Sequence, residues 1–221
     1  MAYLRLPRRL GSTAKQEQLT AFRNWLSKAA SRRPDLISAH TPTVYVNGNV
    51  YVLGKLEVRL HLEQEQRKSG SGHIIPDPHA PARLEVMLKI PQGLAEDGRS
   101  KLIERLLFRL TAKQFTPQVE ALLDEVNDAH FQVDVGRIKL SATTSRWGSC
   151  SSKGNVNLST RLLGAPSMCL RAVIVHELAH RIEMNHSERF WKLVHDAMPS
   201  YVEADAWLKQ HGAGLRWVAK S

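Results

Sequence analysis

Residues 173–186 read VIVHELAHRIEMNH, and this stretch decides how the whole sequence is interpreted. Apolar residues recur through it at three- and four-residue spacing, and they predict a helix from Pro166 to about Met184. Two histidines within it, His176 and His180, are four residues apart and therefore lie on one face of that helix. Their imidazoles can converge on a single metal ion.

The residue after the first histidine supplies the second half of this pattern. Zinc accepts neutral imidazole nitrogens at about 2.0–2.1 Å and prefers tetrahedral sites. Glu177 projects to the side of the ligand face, where it can reach a metal-activated water without ligating the metal. The HExxH pattern therefore predicts a zinc-dependent metallopeptidase in which Glu177 is the general base and then the general acid.

A catalytic zinc needs a third protein ligand, and the sequence offers several. His186 follows His180 by six residues, and Asn185 beside it favours a turn that can return His186 to the metal. Metzincins share this spacing, but their motif has a glycine at the position of Glu183, so the chain is not interpreted as one. The third ligand is predicted to be His186, and its rivals are Glu188, His195 and Glu203.

The first half of the chain mixes helical and strand patterns. Helical periodicity covers Thr13 to Ala30, and two β-rich runs flank Asn47-Gly48, which predicts a hairpin there. Alternation predicts further strands over 56–62 and 84–90. Residues 64–82, rich in Gly, Ser and Pro, are expected to form a flexible loop.

The second half leads from a long helix to the metal region. The pattern predicts a helix over 98–128 that restarts at Thr116-Pro117. Further strands and helices are expected at 133–141, 145–150, 155–160, 188–196 and 199–211. The fold class is therefore α+β, with an N-terminal α+β subdomain over 1–95 and a metallopeptidase domain over 96–221.

Charge is high and uneven in this chain of 221 residues. The formal net charge is +10, with eight Lys or Arg and one acid in residues 1–34. Residues 135–176 hold six basic side chains and no acid. A basic surface attracts nucleic acid, although a solvated basic face explains the same charge and no nucleic-acid motif is present.

Cysteine use and hydropathy bear on the compartment. Cys150 and Cys169 do not form a disulfide framework and are expected to be free thiols in a reducing cytoplasm. The longest apolar runs fall short of the ~18 residues that a membrane helix needs. The basic start of the chain has no apolar core of a signal peptide.

Three segments carry a family resemblance: SRWGSCSSKGNVNLSTRLLGAP at 145–166, VIVHELAHRIEMNHSERFW at 173–191, and MPSYVEADAWLKQHG at 198–212. Together they resemble the YgjP-like zinc metallopeptidases, relatives of the SprT and WLM domains. The match is dense over about 140–213, and over 1–139 it is looser but keeps an N-terminal strand and helix, a hairpin and a long helix.

The resemblance implies zinc ligands at His176, His180 and His186, with Glu177 as catalytic acid and base. It implies a zincin-like metallopeptidase domain whose metal helix packs on a small antiparallel sheet. It implies protein or peptide substrates, and the related branches act on DNA-bound proteins. The insert at 64–82 departs from the expected pattern and leaves substrate access open.

The segment before the metal helix suggests substrate contacts. Arg146, Trp147, Gly148 and Ser149 are hypothesised to border the cleft, where a peptide can add as a strand and Arg146 can bind a carbonyl or carboxylate oxygen. The alternatives are that Trp147 is a core residue and that Arg146 is an ion-pair partner. Tyr201 is a candidate oxyanion donor or a packing residue. Cys150 is a metal-site thiol or a small buried residue.

Two other functions are compatible with the sequence. The first is a non-proteolytic zinc-binding or nucleic-acid-associated module that keeps the metal helix as a scaffold. The second is hydrolysis of a non-peptide amide, which uses the same zinc chemistry.

Overall fold

The computed structural model describes residues 11–32, 43–75 and 83–220. The chain divides into two compact units, Met1–Thr41 and Pro42–Ser221. The first unit contains helix α1, Ser12–Arg32, which confirms the helical pattern of that region. The N-terminal strand that the resemblance implies lies outside the described residues.

The second unit begins with a sheet whose strand order is β3-β4-β2-β1-β8. β2 and β4 are parallel, and the other neighbours are antiparallel. Alternate residues of the strands face the core, as the strand period of two requires. The strands are β1 (Val50–Leu53), β2 (Leu56–Glu65), β3 (Ser71–Ile75), β4 (Arg83–Pro91) and β8 (Val218–Ala219).

The predicted hairpin at Asn47-Gly48 is wrong in its position. Those residues do turn, but β1 pairs with β2 through the two-residue connection Gly54-Lys55. The backbone before Asn47 instead bonds to the Tyr51 hydroxyl, which accepts from Val46 N at 2.6 Å and donates to Val44 O at 3.1 Å.

The predicted loop over 64–82 is also wrong in part. β2 extends through Glu65, and Ser71–Ile75 forms β3, antiparallel to β4. Small residues are needed there for packing, since a Cβ on Gly72 would lie 2.3 Å from Leu88 Cδ2. Residues 76–82 lie outside the described part of the chain.

One long helix, α2 (Glu96–His130), replaces the expected helix that restarts at Thr116-Pro117. Pro117 lies inside it and cannot donate to the preceding turn. Thr116 Oγ1, just before it, donates to Ala112 O at 2.7 Å within the same helix. Leucine, isoleucine and valine side chains of α2 are buried in the core, including Ile103, Leu107, Leu123 and Val126.

The second sheet has the order β5-β7-β6, with β5 Ile138–Ser141, β6 Gly148–Cys150 and β7 Val156–Ser159. It is mixed and not purely antiparallel as the resemblance implied, because β5 and β7 are parallel. Residues 142–147 connect β5 to β6 on the far side of β7. β6 is therefore an edge strand of this sheet.

Helices complete the metal region. A 3₁₀ helix, Thr160–Gly164, leads into α3 (Ser167–Ala179), and α4 (Glu188–Ala197) and α5 (Tyr201–His211) follow. α3 ends about one turn before the predicted Met184, since the chain tightens into bonds from Arg181 N to Leu178 O and from Ile182 N to Ala179 O. A second 3₁₀ helix spans Gly212–Gly214.

The architecture confirms the α+β fold class. α2 contacts strands of both sheets, and Lys55 N donates to Gly164 O at 3.3 Å between the first sheet and the metal region. Residues 43–75 and 83–220 thus share one compact unit. The subdomain division at residue 95 stays a prediction. Among the described residues, no helix is long and apolar enough to cross a membrane.

Candidate metal centre

Helix α3 presents His176 and His180 on one face because its other faces are buried. Ile174 and Leu178 are fully buried in the core. The two imidazole centroids lie 4.9 Å apart. The predicted helical spacing therefore brings these two rings together.

His186 joins them through a short, well-bonded turn. Asn185 Oδ1 accepts a hydrogen bond from Ser187 N at 3.1 Å, and Ser187 is the N-cap of α4, accepting from Phe190 N at 3.3 Å. These two side-chain bonds fix the bend. The His186 centroid lies 5.0 Å from that of His176 and 4.8 Å from that of His180.

Phe190 lies against all three imidazoles. Its ring centroid is 4.9 Å from that of His176, 4.6 Å from that of His180 and 4.7 Å from that of His186. Phe190 is fully buried, and the three imidazole rings pack against it. The helical spacing of α4 indicated a core residue, and nothing in the sequence linked it to the histidines.

Hydrogen bonds select which ring nitrogens face the centre. His180 Nδ1 lies 3.2 Å from Glu183 O, and because a carbonyl only accepts, Nδ1 carries the proton and Nε2 keeps a free lone pair. His176 Nδ1 lies 3.1 Å from Tyr201 Oη, which leaves its Nε2 directed at His186 Nε2 at 3.1 Å. Such outer contacts orient metal-ligating histidines.

The donor set fits a zinc ion. One ligand atom from each of His176, His180 and His186 lies within 4.8 Å of the others. A tetrahedral zinc with bonds of about 2.0–2.1 Å holds its ligand nitrogens about 3.3 Å apart. Within the described residues, the metal-type cluster consists of these histidines and does not include Glu188, His195 or Glu203.

Burial favours the neutral form of His176 and of His180. It lowers the pKa of His176 to about 4, with smaller contributions from the charges of His180 and His186. Burial also lowers the pKa of His180, and His186 adds to that effect. Neutral imidazole is the form that ligates a metal, so the site is ready for an ion near neutral pH.

Glu177 is a buried carboxylate beside these rings, and its residue is only 5% exposed. Burial raises the pKa of Glu177 to about 7, while the charge of Arg146 and the backbone N–H of Cys150, which donates to the carboxylate, act in the opposite direction. A carboxyl that titrates near neutral pH can both accept and return a proton.

Strand β6 packs directly against the Glu177 carboxylate. A Cβ on Gly148 would lie 2.4 Å from Glu177 Oε1 and 2.8 Å from Val173 Cγ1, so only glycine fits. Trp147 O accepts a hydrogen bond from Ser159 N, and Ser151 N donates to Asn155 O. Because bonding alternates along an antiparallel strand, the N–H and C=O groups of Gly148 and Cys150 point toward the opposite edge.

The residues predicted to contact the substrate divide into two groups. Trp147, Gly148 and Tyr201 line a cavity of about 230 Å³ together with His176 and Glu177. Arg146 is exposed, and Ser149 is not among the residues that line the cavity.

Cys150 is half-buried and lies outside the metal cluster. Burial raises the pKa of its thiol, with the charge of Arg181 acting against it. The arrangement favours a small packing residue at this position over a metal-site thiolate.

Comparison with known proteins agrees with this picture. Residues 1–211 match the family model of the YgjP-like, metallopeptidase domain. No curated protein matches the sequence significantly. Two solved metallopeptidase zymogens are similar: abylysin of Pyrococcus abyssi (23% identity, TM-score 0.39) and jannalysin of Methanocaldococcus jannaschii (17%, 0.37). Each similarity covers 42% of this chain, and 93% and 94% of the respective zymogen chains. Since the family model spans nearly its whole length, this chain belongs to the YgjP-like metallopeptidase family.

Proposed function

We propose that this protein is a zinc-dependent peptidase, with His176, His180 and His186 as its zinc ligands and Glu177 as its general base and acid. The observation that carries the proposal is the convergence of three imidazoles beside one buried carboxylate. Membership of a metallopeptidase family already implies a metal ion and peptide substrates. The identity of the zinc ligands and the catalytic role of Glu177 go beyond what that membership implies.

Zinc bound to these histidines supplies a Lewis acid that lowers the pKa of water and polarises a carbonyl group. Glu177 accepts the proton of the attacking water and donates it to the leaving amine. The wall formed by Gly148 and the N–H of Cys150 holds the carboxylate in one position for both transfers. Tyr201 and the Glu183 carbonyl hold the ligand rings in their orientation.

The same proposal assigns substrate contacts to the edge of β6. Its outward backbone groups, at Gly148, suit pairing with an extended peptide, and Arg146 beside them suits a carbonyl or carboxylate oxygen of that peptide. Ser149 faces away from the cavity side and supports the strand. Cytoplasmic location stays a prediction from the free thiols.

Zinc removal tests the proposal. The purified protein is incubated with a mixture of unstructured peptides, and new termini are identified by mass spectrometry. We expect cleavage that stops on treatment with 1,10-phenanthroline and returns with one equivalent of zinc. Cleavage that persists in zinc-free protein, or no cleavage by zinc-loaded protein, would contradict the assignment.

A second candidate function is a nucleic-acid-associated module that keeps the metal helix as a scaffold. Arg137 and Lys139 line a second cavity with Asn155 and Asn157, and this basic face favours anionic partners. Retention on heparin that weakens steeply with salt, combined with unchanged biological activity of a Glu177→Gln protein, would favour this alternative.

A further inference from the structure

The cavity beside the metal centre has a defined position relative to the reacting groups. His176 and Glu177 form one side of it, so a substrate held at these residues places a neighbouring side chain at its entrance. Its volume of about 230 Å³ is smaller than the roughly 300–1,000 Å³ of pockets for drug-sized ligands. A space of this size suits one amino-acid side chain.

Part of the cavity wall is apolar and held in place. Val173 and Leu208 are each 7% exposed and contribute aliphatic surface. Trp147 forms a third wall, with the Arg161 guanidinium 4.6 Å above its ring. A Cβ on Gly212 would lie 2.4 Å from Trp147 Cζ2, so the indole is packed tightly from that side as well.

Arg161 fixes that wall through the backbone. Its Nε donates to Leu215 O at 2.8 Å, and its Nη2 donates to Gly212 O. Arg161 lies in the 3₁₀ helix Thr160–Gly164, and its guanidinium bonds this helix to the C-terminal segment and covers Trp147. The shape of the cavity is therefore formed before any substrate enters.

The cavity is also lined by polar groups, and besides His176, Glu177 and Tyr201 these include one further carboxylate. Asp205, on α5, lines the cavity and raises the pKa of both His176 and Tyr201 by its charge. Its Oδ2 lies 2.6 Å from Lys209 Nζ, and the lysine is 76% exposed. The carboxylate is thus already positioned to accept an ammonium group, and the exposed lysine can be displaced.

We infer that this cavity receives the substrate side chain next to the cleaved bond and that Asp205 selects lysine or arginine there. The inference rests on the proposed function for the position of the cleaved bond. Long basic side chains combine an aliphatic stem with a cationic head. The stem fits the walls formed by Val173, Leu208 and Trp147, and the head reaches Asp205.

Binding of two peptide hydroxamates tests the inference without any turnover. The compounds differ only in carrying lysine or norleucine at the residue nearest the hydroxamate, and their affinities for zinc-loaded protein are measured by calorimetry. We expect about fivefold tighter binding of the lysine compound, as a partly exposed ion pair supplies. Asp205→Asn should reduce the ratio below about twofold, and Asp205→Lys should favour norleucine.

Asp196→Asn is the matched control, because Asp196 forms the same helical ion pair with Lys192 at 2.6 Å and lies outside the cavity. That variant should keep the wild-type ratio. Zinc affinity of Asp205→Asn should stay within about twofold of wild type, which separates side-chain selection from tuning of His176.

The possible failures are distinguishable. Zinc-loaded protein that binds both compounds equally, or keeps its lysine preference in Asp205→Asn, overturns the inference and leaves the proposed function intact. Zinc-loaded protein that binds neither compound has no accessible zinc and overturns both. A chain that takes up no zinc overturns the proposed function and the inference with it.

Discussion

At the scale of single residues, the hydroxyl of Tyr201 links α5 to the metal centre. It lies 3.1 Å from His176 Nδ1, and burial together with the charges of Asp205 and Glu177 raises its pKa to about 12. The hydroxyl is therefore protonated at neutral pH. If Nε2 of His176 ligates the zinc ion proposed above, Nδ1–H donates to the Tyr201 oxygen, which holds the ring in one orientation.

Removing that oxygen should weaken zinc binding. Tyr201→Phe keeps the ring and loses the acceptor for His176, so we expect the zinc dissociation constant to rise roughly tenfold. Competition with a chromophoric chelator measures it. Tyr51→Phe is the control, since the Tyr51 hydroxyl bonds to the backbone of residues 44 and 46. Equal zinc affinity in both variants would contradict a positioning role for Tyr201.

At the scale of elements, the contact of strand β6 with helix α3 decides where the Glu177 carboxylate lies. The strand reaches the helix through Gly148, and the N–H of Cys150 donates to the carboxylate. A carboxylate held on one side by backbone and on the other by a buried helix has little freedom to rotate. This restriction serves a group that transfers protons at one fixed place.

Adding one methyl group tests this contact. Gly148→Ala places a Cβ 2.4 Å from Glu177 Oε1, so the carboxylate must move. We expect zinc content to stay near wild type and peptide cleavage to fall by roughly 100-fold, the cost of a displacement near 1 Å. Gly98→Ala, on α2 with nothing within 4 Å of its Cβ, should leave both unchanged. Full activity of Gly148→Ala would show that the contact is not needed.

At the scale of the whole molecule, the C-terminal segment closes the core of the second unit. The family model ends at residue 211, yet Trp217 is fully buried and β8 pairs with β1. Phe108 of α2 lies beside Trp217, with ring centroids 6.1 Å apart. The segment thus joins the long helix, the first sheet and, through Arg161, the metal region.

Truncating this tryptophan should destabilise the fold strongly. We expect Trp217→Ala to lower the free energy of unfolding by about 3–5 kcal/mol, because the cavity left behind is closed on all sides. Urea denaturation measures the change. Trp25→Ala, at a position 59% exposed on α1, should stay within about 0.5 kcal/mol of wild type. A loss below about 1 kcal/mol for Trp217→Ala would contradict the packing described.

The sequence predicted the features that depend on short spacings along a single helix. Two histidines one helical turn apart, with Glu177 between them, need only the helix period, and the apolar stripe supplied that period. The contacts of Phe190 and Tyr201 with the same histidines depend on how α4 and α5 pack, which no local pattern encodes. The mixed sheet and the unbroken helix through Pro117 escaped prediction for a similar reason, since tertiary contacts overrode turn and helix-start preferences.

The central claim is that Glu177 performs chemistry at a site built by three histidines, and one comparison tests it most directly. Zinc content and peptide cleavage are measured side by side for wild type and Glu177→Gln. The claim predicts about one zinc per chain in both proteins and a fall in cleavage of at least roughly 1,000-fold in the variant, because the amide cannot accept a proton. Equal cleavage by the two zinc-loaded proteins would contradict it.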